Sequence, residues 1–495
     1  MSSLNTDLFE LIHKLDKNER RYFKLYIKNL GAKANTYSKL FDAIAKQTVY
    51  DEEAIKKQFR RERFVHKLSA TKRYLLDTIM RALLNHHADK GIDNIILDGI
   101  RSFKILLKKG LFLFLIKEIY RLEKLAREHD RFFYLPIILC WKCLAKVVVS
   151  TNEDSAIYKQ EIEDFLESAD YLNLCVQQIA EHQKSRFHWR KHGVARADMI
   201  DLPPQTKRFA EKMAYLMRRA DETYYKHQLD ESLEIRLELL KLYTGDEVVL
   251  TDEENFNNYL VHLINVMSSA CYKPAVETFY EVYRQYEQID FARIPDRSKI
   301  HIWDLEVRFY RKIGAIDKAR TSFAAFTAFI EKQPQLIANQ YIPTIYFEMG
   351  LVCLLSNECD LALEHLRKAR QLTKSLKDYP NLIYTIDLIE LLVFYEKEEW
   401  LLLPNLLRSY YRKLKKEDEF FVFGQLMHKL LKELIKTDDK LEKKAVLEKG
   451  KTALIDFKGN TKTNIFIFFP YEKWMEALLE NKSLLAIVQA DYQGK

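Results

Sequence analysis

The 495-residue sequence predicts an all-α protein made of antiparallel helix pairs that follow one another along the chain. Three observations predict it. Only 12 Gly and 10 Pro occur, so the residues that hairpins and tight turns consume are scarce. Apolar residues recur at helical spacing through most of the chain. In its second half, small and aromatic residues return at steps of 40 to 44 residues, a spacing that belongs to repeated helical units.

Residues 1–90 read as a compact N-terminal helical module. Leu8, Ile12 and Leu15 share a helix face, and Asp16 with Glu19 forms a capping box that starts a second helix through Leu30, ended by Gly31. A third helix covers Tyr37 to Gln47, with Leu40, Phe41 and Ile44 inward. Asp51 caps a fourth through Arg60, with Ala54, Ile55 and Phe59 facing inward, and a long fifth runs from Phe64 to His87 on Leu68, Leu75, Ile79 and Leu83. The third and fourth have the outline of a helix-turn-helix. Lys56, Lys57, Arg60 and Arg61 on the second of them are the cations that would meet phosphates.

Residues 91–205 predict irregular helical hairpins. Ile95 to Lys109 and Leu111 to Glu128 flank Gly110; Phe132 to Val149 follows with Pro136 in its first turn, where proline is tolerated. After a break at Asn152 to Ser155 come helices at Ala156 to Ala169 and Leu172 to Trp189. Gly193 and the Pro203-Pro204 pair mark a boundary.

Residues 206–415 carry the period. Ser232, Ala275, Ala319, Ala362 and Leu402 align on the second helix of each pair, and Tyr259, Trp303 and Tyr346 each stand sixteen residues before a small partner. Phe279, Phe323 and Leu366 hold the large position four residues on. The clearest unit is Pro343 to Lys374, with Gly350, Ala362 and Ala369 as small packing residues that let helix axes approach closely. This unit resembles a tetratricopeptide (TPR) repeat, which implies a TPR-like α-solenoid binding a protein or peptide on its surface. The step exceeds the TPR period, so a HEAT- or armadillo-like array is the alternative. Repeat-packing positions are Trp303, Ala319, Gly350, Ala362 and Ala369. Residues 416–495 predict a C-terminal helical cap: helices at Phe420 to Lys436 and Leu441 to Asp456, an extended run at Asn464 to Phe469, and a last helix opening at Pro470.

The chain carries 79 Lys+Arg against 71 Asp+Glu, a net of +8. Residues 1–90 hold 19 against 11 and so the whole excess, and residues 184–219 hold 10 against 3. Such asymmetry fits an acidic partner. Lys184, Arg186, Trp189 and Arg190 form a cationic, aromatic cluster of the sort that grips single-stranded nucleic acid. Asp7, Glu10 and Asp16 interrupt what would be a secretory signal. The longest apolar run, Leu111 to Ile116, is far shorter than the roughly 20 residues of a membrane span. The expectation is a soluble, cytoplasmic protein without a membrane partner, its six scattered cysteines reduced.

Motifs for chemistry are weak. Gly450-Lys451-Thr452 lacks the preceding glycine of a P-loop, Ala445 standing there. Cys140 and Cys143 have CxxC spacing without a βαβ context, and His188 and His192 lack a third ligand. No cofactor, metal site or catalytic set is expected. The function expected is a non-enzymatic scaffold for a protein or peptide. The alternative is a regulator whose residues 1–90 bind nucleic acid while the repeats bind a peptide, similar in layout to regulators that join a helical DNA-binding module to TPR repeats.

Overall fold

The computed structural model describes residues 3–28, 34–88, 91–149, 155–192, 209–226, 228–243, 253–272, 275–373, 380–414, 419–437, 439–460 and 465–492. The described residues are overwhelmingly helical and include no strand. They fall into two compact units, Met1–Asn173 and Leu174–Lys495. The division lies inside one 38-residue helix, α9 (Ser155–His192). Two helices were expected there, but the stretch between them holds no Gly or Pro to stop the first. The predicted boundary at Gly193 and Pro203-Pro204 lies outside the described residues.

The first unit opens with α1 (Ser3–Lys14), α2 (Lys17–Lys28), α3 (Ala34–Ala45), α4 (Glu52–Gln58) and α5 (Leu68–His87). They enclose one apolar cluster built on Leu8, Ile12, Phe23, Phe41, Leu75 and Ile79. The capping box closes in both directions: the Asp16 amide donates to Glu19 at 2.9 Å and the Glu19 amide to Asp16 at 2.8 Å. Asp51 caps α4 by accepting from the Ala54 amide at 3.0 Å. That helix stops at Gln58, earlier than expected, and a 3-10 turn at Arg63–Lys67 precedes α5. Then come α6 (Ile92–Lys108), α7 (Phe112–Glu128) and α8 (Leu135–Val149), with Pro136 in the first turn of α8. Lys142, buried on α8, lies between Glu123 of α7 at 2.9 Å and Glu161 of α9 at 3.7 Å.

The second unit stacks helix pairs in series, a solenoid-like all-α arrangement. They are α10 (Phe209–Tyr225) with α11 (Leu229–Lys241), α12 (Glu253–Tyr272) with α13 (Val276–Glu287), and α14 (Asp296–Lys312) with α15 (Ile316–Lys332). After them come α16 (Ile342–Leu355) with α17 (Cys359–Thr373), α18 (Pro380–Glu396) with α19 (Leu403–Lys413), and α20 (Glu419–Lys436) with α21 (Lys440–Asn460). Second helices start at residues 229, 276, 316, 359 and 403, steps of 47, 40, 43 and 44. One turn recurs between partners. The amides of Gln228, Ala275, Ala315, Glu358 and Glu399 each donate to the carbonyl five residues back, at 2.8 to 3.1 Å, the bond that closes a Schellman turn. Gly314, Asn357 and Glu398 take the left-handed conformation this turn requires.

That shared turn corrects the predicted register. Ala275 is the N-cap of α13 and Leu402 the N-cap of α19, one helical turn before the position held by Ala319 and Ala362. The residue at that position in α13 is Phe279, buried and stacked on Phe309 with ring centroids 3.7 Å apart. Close helix approach is therefore confined to particular pairs. At Gly350 an added Cβ would stand 2.9 Å from Leu366 and 3.3 Å from the Ala362 carbonyl oxygen. Ser232 of α11 donates its hydroxyl to the carbonyl of Ala220, the residue of α10 matching Gly350, at 2.7 Å. Ala319, Ala362 and Ala369 are fully buried, and Trp303 is half-buried with its ring 5.1 Å from Phe329.

The first helices are buried around most of their circumference. Every residue of α16 from Phe347 to Leu355 is buried, as expected of a helix apolar on all sides. Between α14 and α16, buried charges meet in ion pairs. Arg308 donates to Asp304 at 2.8 Å and to Glu348 at 2.9 Å, and Arg311 donates to Glu348 at 2.6 Å. Against the effect of its burial, Arg311 and Arg308 hold the Glu348 carboxyl below its ordinary value, while burial raises Asp304 to about 6.

The C-terminal segment, α22 (Ile465–Phe468), α23 (Tyr471–Glu480) and α24 (Leu484–Ala490), is helical where an extended run was expected at its start. It reaches far back along the array. Arg311 donates to the Phe468 carbonyl at 3.3 Å, and the Phe468 ring lies 6.2 Å from Phe347. The Trp474 indole N–H donates to Glu396 at 2.6 Å, and Gln489 donates to the Gly314 carbonyl at 2.9 Å. The segment thus meets the ends or flanks of α14, α16 and α18 and shares one apolar core with them.

Candidate functional site

With the tail seated on the first helices, an aromatic opening occurs instead on the second-helix side of the array. Helix α13 makes it. Phe279 and Val282 are its buried residues, and Tyr280, Tyr283 and Tyr286 stand half-buried beside them. Tyr280 sets its edge on Phe309 at 5.8 Å, and Tyr283 lies parallel to Phe279 at 6.0 Å. Tyr310 from α14 and Lys318 from α15 complete an open groove with a volume of about 840 Å³.

Its electrostatics are acidic. Glu277, Glu281 and Glu287 are exposed along α13. Glu306 is buried beneath the tyrosines and accepts the Ser322 hydroxyl at 2.5 Å. Burial raises the Glu306 carboxyl. Burial, with Glu306 close by, also pushes the Tyr283, Tyr286 and Tyr310 hydroxyls up, so they stay protonated donors. Three exposed glutamates, Glu277, Glu281 and Glu287, thus line the groove with two cations, Arg284 and Lys318. Lys318 lies over the tyrosines: its ammonium donates to the Tyr280 hydroxyl at 3.1 Å and sits 5.1 Å and 5.6 Å from the Tyr280 and Tyr310 ring centres. Tyrosine faces with nearby carboxylates attract an amine or guanidinium by both their quadrupoles and their charge.

The residues singled out from sequence lie elsewhere. Lys56 is paired with Glu52 at 3.3 Å and Glu53 at 2.8 Å. Lys57, Arg60 and Arg61 are exposed, the last two beyond the end of α4. Lys184 pairs with Glu181 at 2.7 Å, and Arg186 stands 3.8 Å from Asp221. Trp189 and Arg190 fall on α9, and their side chains lie outside the described residues, as does that of His192. Gly450 lies within α21, where an added Cβ would meet Leu430 at 2.6 Å, so the Gly-Lys-Thr triplet is a helix contact. Cys140 and Cys143 carry free, half-buried thiols. Among the described residues no three His, Cys, Asp or Glu side chains could hold a metal ion.

The tyrosine groove itself was not singled out. Its signal is present as Tyr280, Tyr283 and Tyr286, spaced three apart on α13 and interleaved with glutamates. No protein family, curated protein or solved structure matches this chain.

Proposed function

We propose that this protein is a non-enzymatic, TPR-like helical scaffold that holds a basic peptide segment of a partner protein in the groove over α13. The single observation that carries the reading is the tyrosine-lined, glutamate-rimmed opening at Tyr280, Tyr283 and Tyr310. A lysine or arginine of the partner takes the kind of place Lys318 occupies, and the tyrosine hydroxyls bond its backbone. Six free thiols support the cytoplasm as its compartment.

A displayed peptide library selected on the full chain tests this. Enrichment of Lys- and Arg-bearing peptides is expected, with about tenfold weaker binding to Tyr280→Ala and loss on joint Glu277→Lys and Glu281→Lys reversal. Selection of acidic or wholly apolar peptides, or binding untouched by these variants, would overturn the reading.

A second reading has its own observation. Lys57, Arg60, Arg61, Arg63, Arg73 and Arg81 are exposed and make no ion pair among the described residues. A nucleic-acid backbone is the partner such a set fits, and binding to mixed-sequence DNA should then fall steeply with salt. No retention of the full chain on DNA at low salt would remove it.

A further inference from the structure

The hairpin end between α6 and α7 keeps several large apolar side chains in solvent. Leu113 is 75% exposed, Phe114 56% and Leu111 50%, with Ile105 on the preceding helix at 61%. The turn is a tight one: Gly110 has a φ of 70°, and the Leu111 amide donates to the Leu106 carbonyl at 3.0 Å. Helix α7 spends Leu115, Ile119 and Leu122 on the core. That leaves Leu111, Leu113 and Phe114 as a projecting knob.

The same stretch is strongly cationic. Residues 99–117 contain Arg101, Lys104, Lys108, Lys109 and Lys117 and no Asp or Glu. Arg101 is paired with Asp98. The four lysines are exposed and make no ion pair among the described residues. The next acid along the chain, Glu118, is held by Arg121 at 2.5 Å.

We infer that this hairpin end inserts into the surface of an anionic lipid bilayer. Leu111, Leu113 and Phe114 enter the boundary between headgroups and acyl chains, while Lys104, Lys108, Lys109 and Lys117 pair with the headgroups around them. Interfacial binding of this kind combines buried apolar area with attraction to anionic lipid, and lysine stems reach from an apolar level to a polar one. A folded protein partner would have to fix acids opposite four unanchored lysines and freeze each of them. A fluid anionic surface meets them wherever they point. A nucleic acid takes up such a knob only by unstacking its bases, a cost of about a few kcal/mol per step that a fluid bilayer surface does not impose. The association is peripheral: among the described residues no helix is long and apolar enough to cross a membrane.

Co-sedimentation of the full chain with vesicles tests it, using phosphatidylcholine alone and phosphatidylcholine mixed with phosphatidylserine. Binding to the mixed vesicles only, weakened by salt, is expected. Reversing Lys108→Glu with Lys109→Glu should cost about fivefold or more per charge. Leu113→Asp with Phe114→Asp should abolish binding, and because both side chains are exposed the melting temperature should not move. In Phe114→Trp, the new indole should be quenched by lipids brominated in their acyl chains. No sedimentation with anionic vesicles, binding retained by the double Asp variant, or an unquenched indole would overturn the proposal. So would a hairpin that captures an acidic peptide and ignores vesicles.

Discussion

Replacing Trp474 by Phe isolates the contact that fastens the C-terminal segment to α18. The side chain is 1% exposed, its N–H donates to Glu396 at 2.6 Å, and its ring lies 5.7 Å from Tyr395. Phe keeps most of the apolar contact, so the packing loss is about 1 kcal/mol. The lost hydrogen bond to a charged group adds ~1.5–3 kcal/mol. These two parts depend differently on pH. Burial raises the Glu396 carboxyl and the indole N–H lowers it, so removing the N–H raises it further. A carboxyl raised in the folded state binds its proton more tightly there than in the unfolded chain. Its cost is therefore absent in acid and grows as pH rises through the folded value. Urea unfolding of the variant and its parent, compared at each pH, should show a deficit of ~2.5–4 kcal/mol at about pH 8 that shrinks toward the packing part in acid. In a Glu396→Gln background the deficit should no longer vary with pH. The reasoning is refuted by a deficit of the same size at both pH values in the parent background.

Two further predictions concern the array. Gly350→Ala should destabilise by ~1–2 kcal/mol through overpacking against Leu366, despite the better helix propensity of Ala. Leu366→Ala alone should cost ~2–5 kcal/mol, and the double variant should cost at least ~1 kcal/mol less than the sum, with additivity to within ~0.5 kcal/mol denying the contact. Asp221→Asn should cost ~3 kcal/mol at neutral pH, because Asp221 lies 2.8 Å from His182 and accepts from Arg236 at 2.6 Å. Against its burial, these partners hold the Asp221 carboxyl far below its ordinary value. Its contribution is thus present above the ordinary aspartate range and lost in acid, where variant and parent melting curves should converge; a constant offset down to acid pH would deny the pairing.

Much of the fold was legible because its causes are local. Scarce Gly and Pro, helical spacing and the Asp16–Glu19 box led to helices that the chain forms. Gly110 and Gly314 mark left-handed turn positions openly, but Asp130 and Glu398 adopt the same conformation, and only the surrounding hydrogen bonds place them there. The slipped register at Ala275 has a geometric cause. An N-cap and the fourth residue of a helix lie about one turn apart and point to nearly the same side, so a small residue at either satisfies the same pattern. The tyrosine groove joins α13 to residues of two other helices, and spacing within one helix does not reveal that meeting.

The seat of the C-terminal segment was also written in the sequence, in the composition of α16. A first helix in an open array packs one side on its partner and its neighbours and needs a polar stripe on the side left to water. Between Ile342 and Leu355 the only charged residue is Glu348, and Glu348 is itself buried under two arginines. A helix with no wet face demands a further layer. Phe468 and the residues after it supply that layer, with Arg311 spending one guanidinium on both Glu348 and the Phe468 carbonyl. The surface that an open array would offer a peptide is in this way taken up, in part, by the chain's own end. The aromatic surface left partly open lies over second helix α13 at Tyr280 and Tyr283, with Tyr310 of α14 beside them.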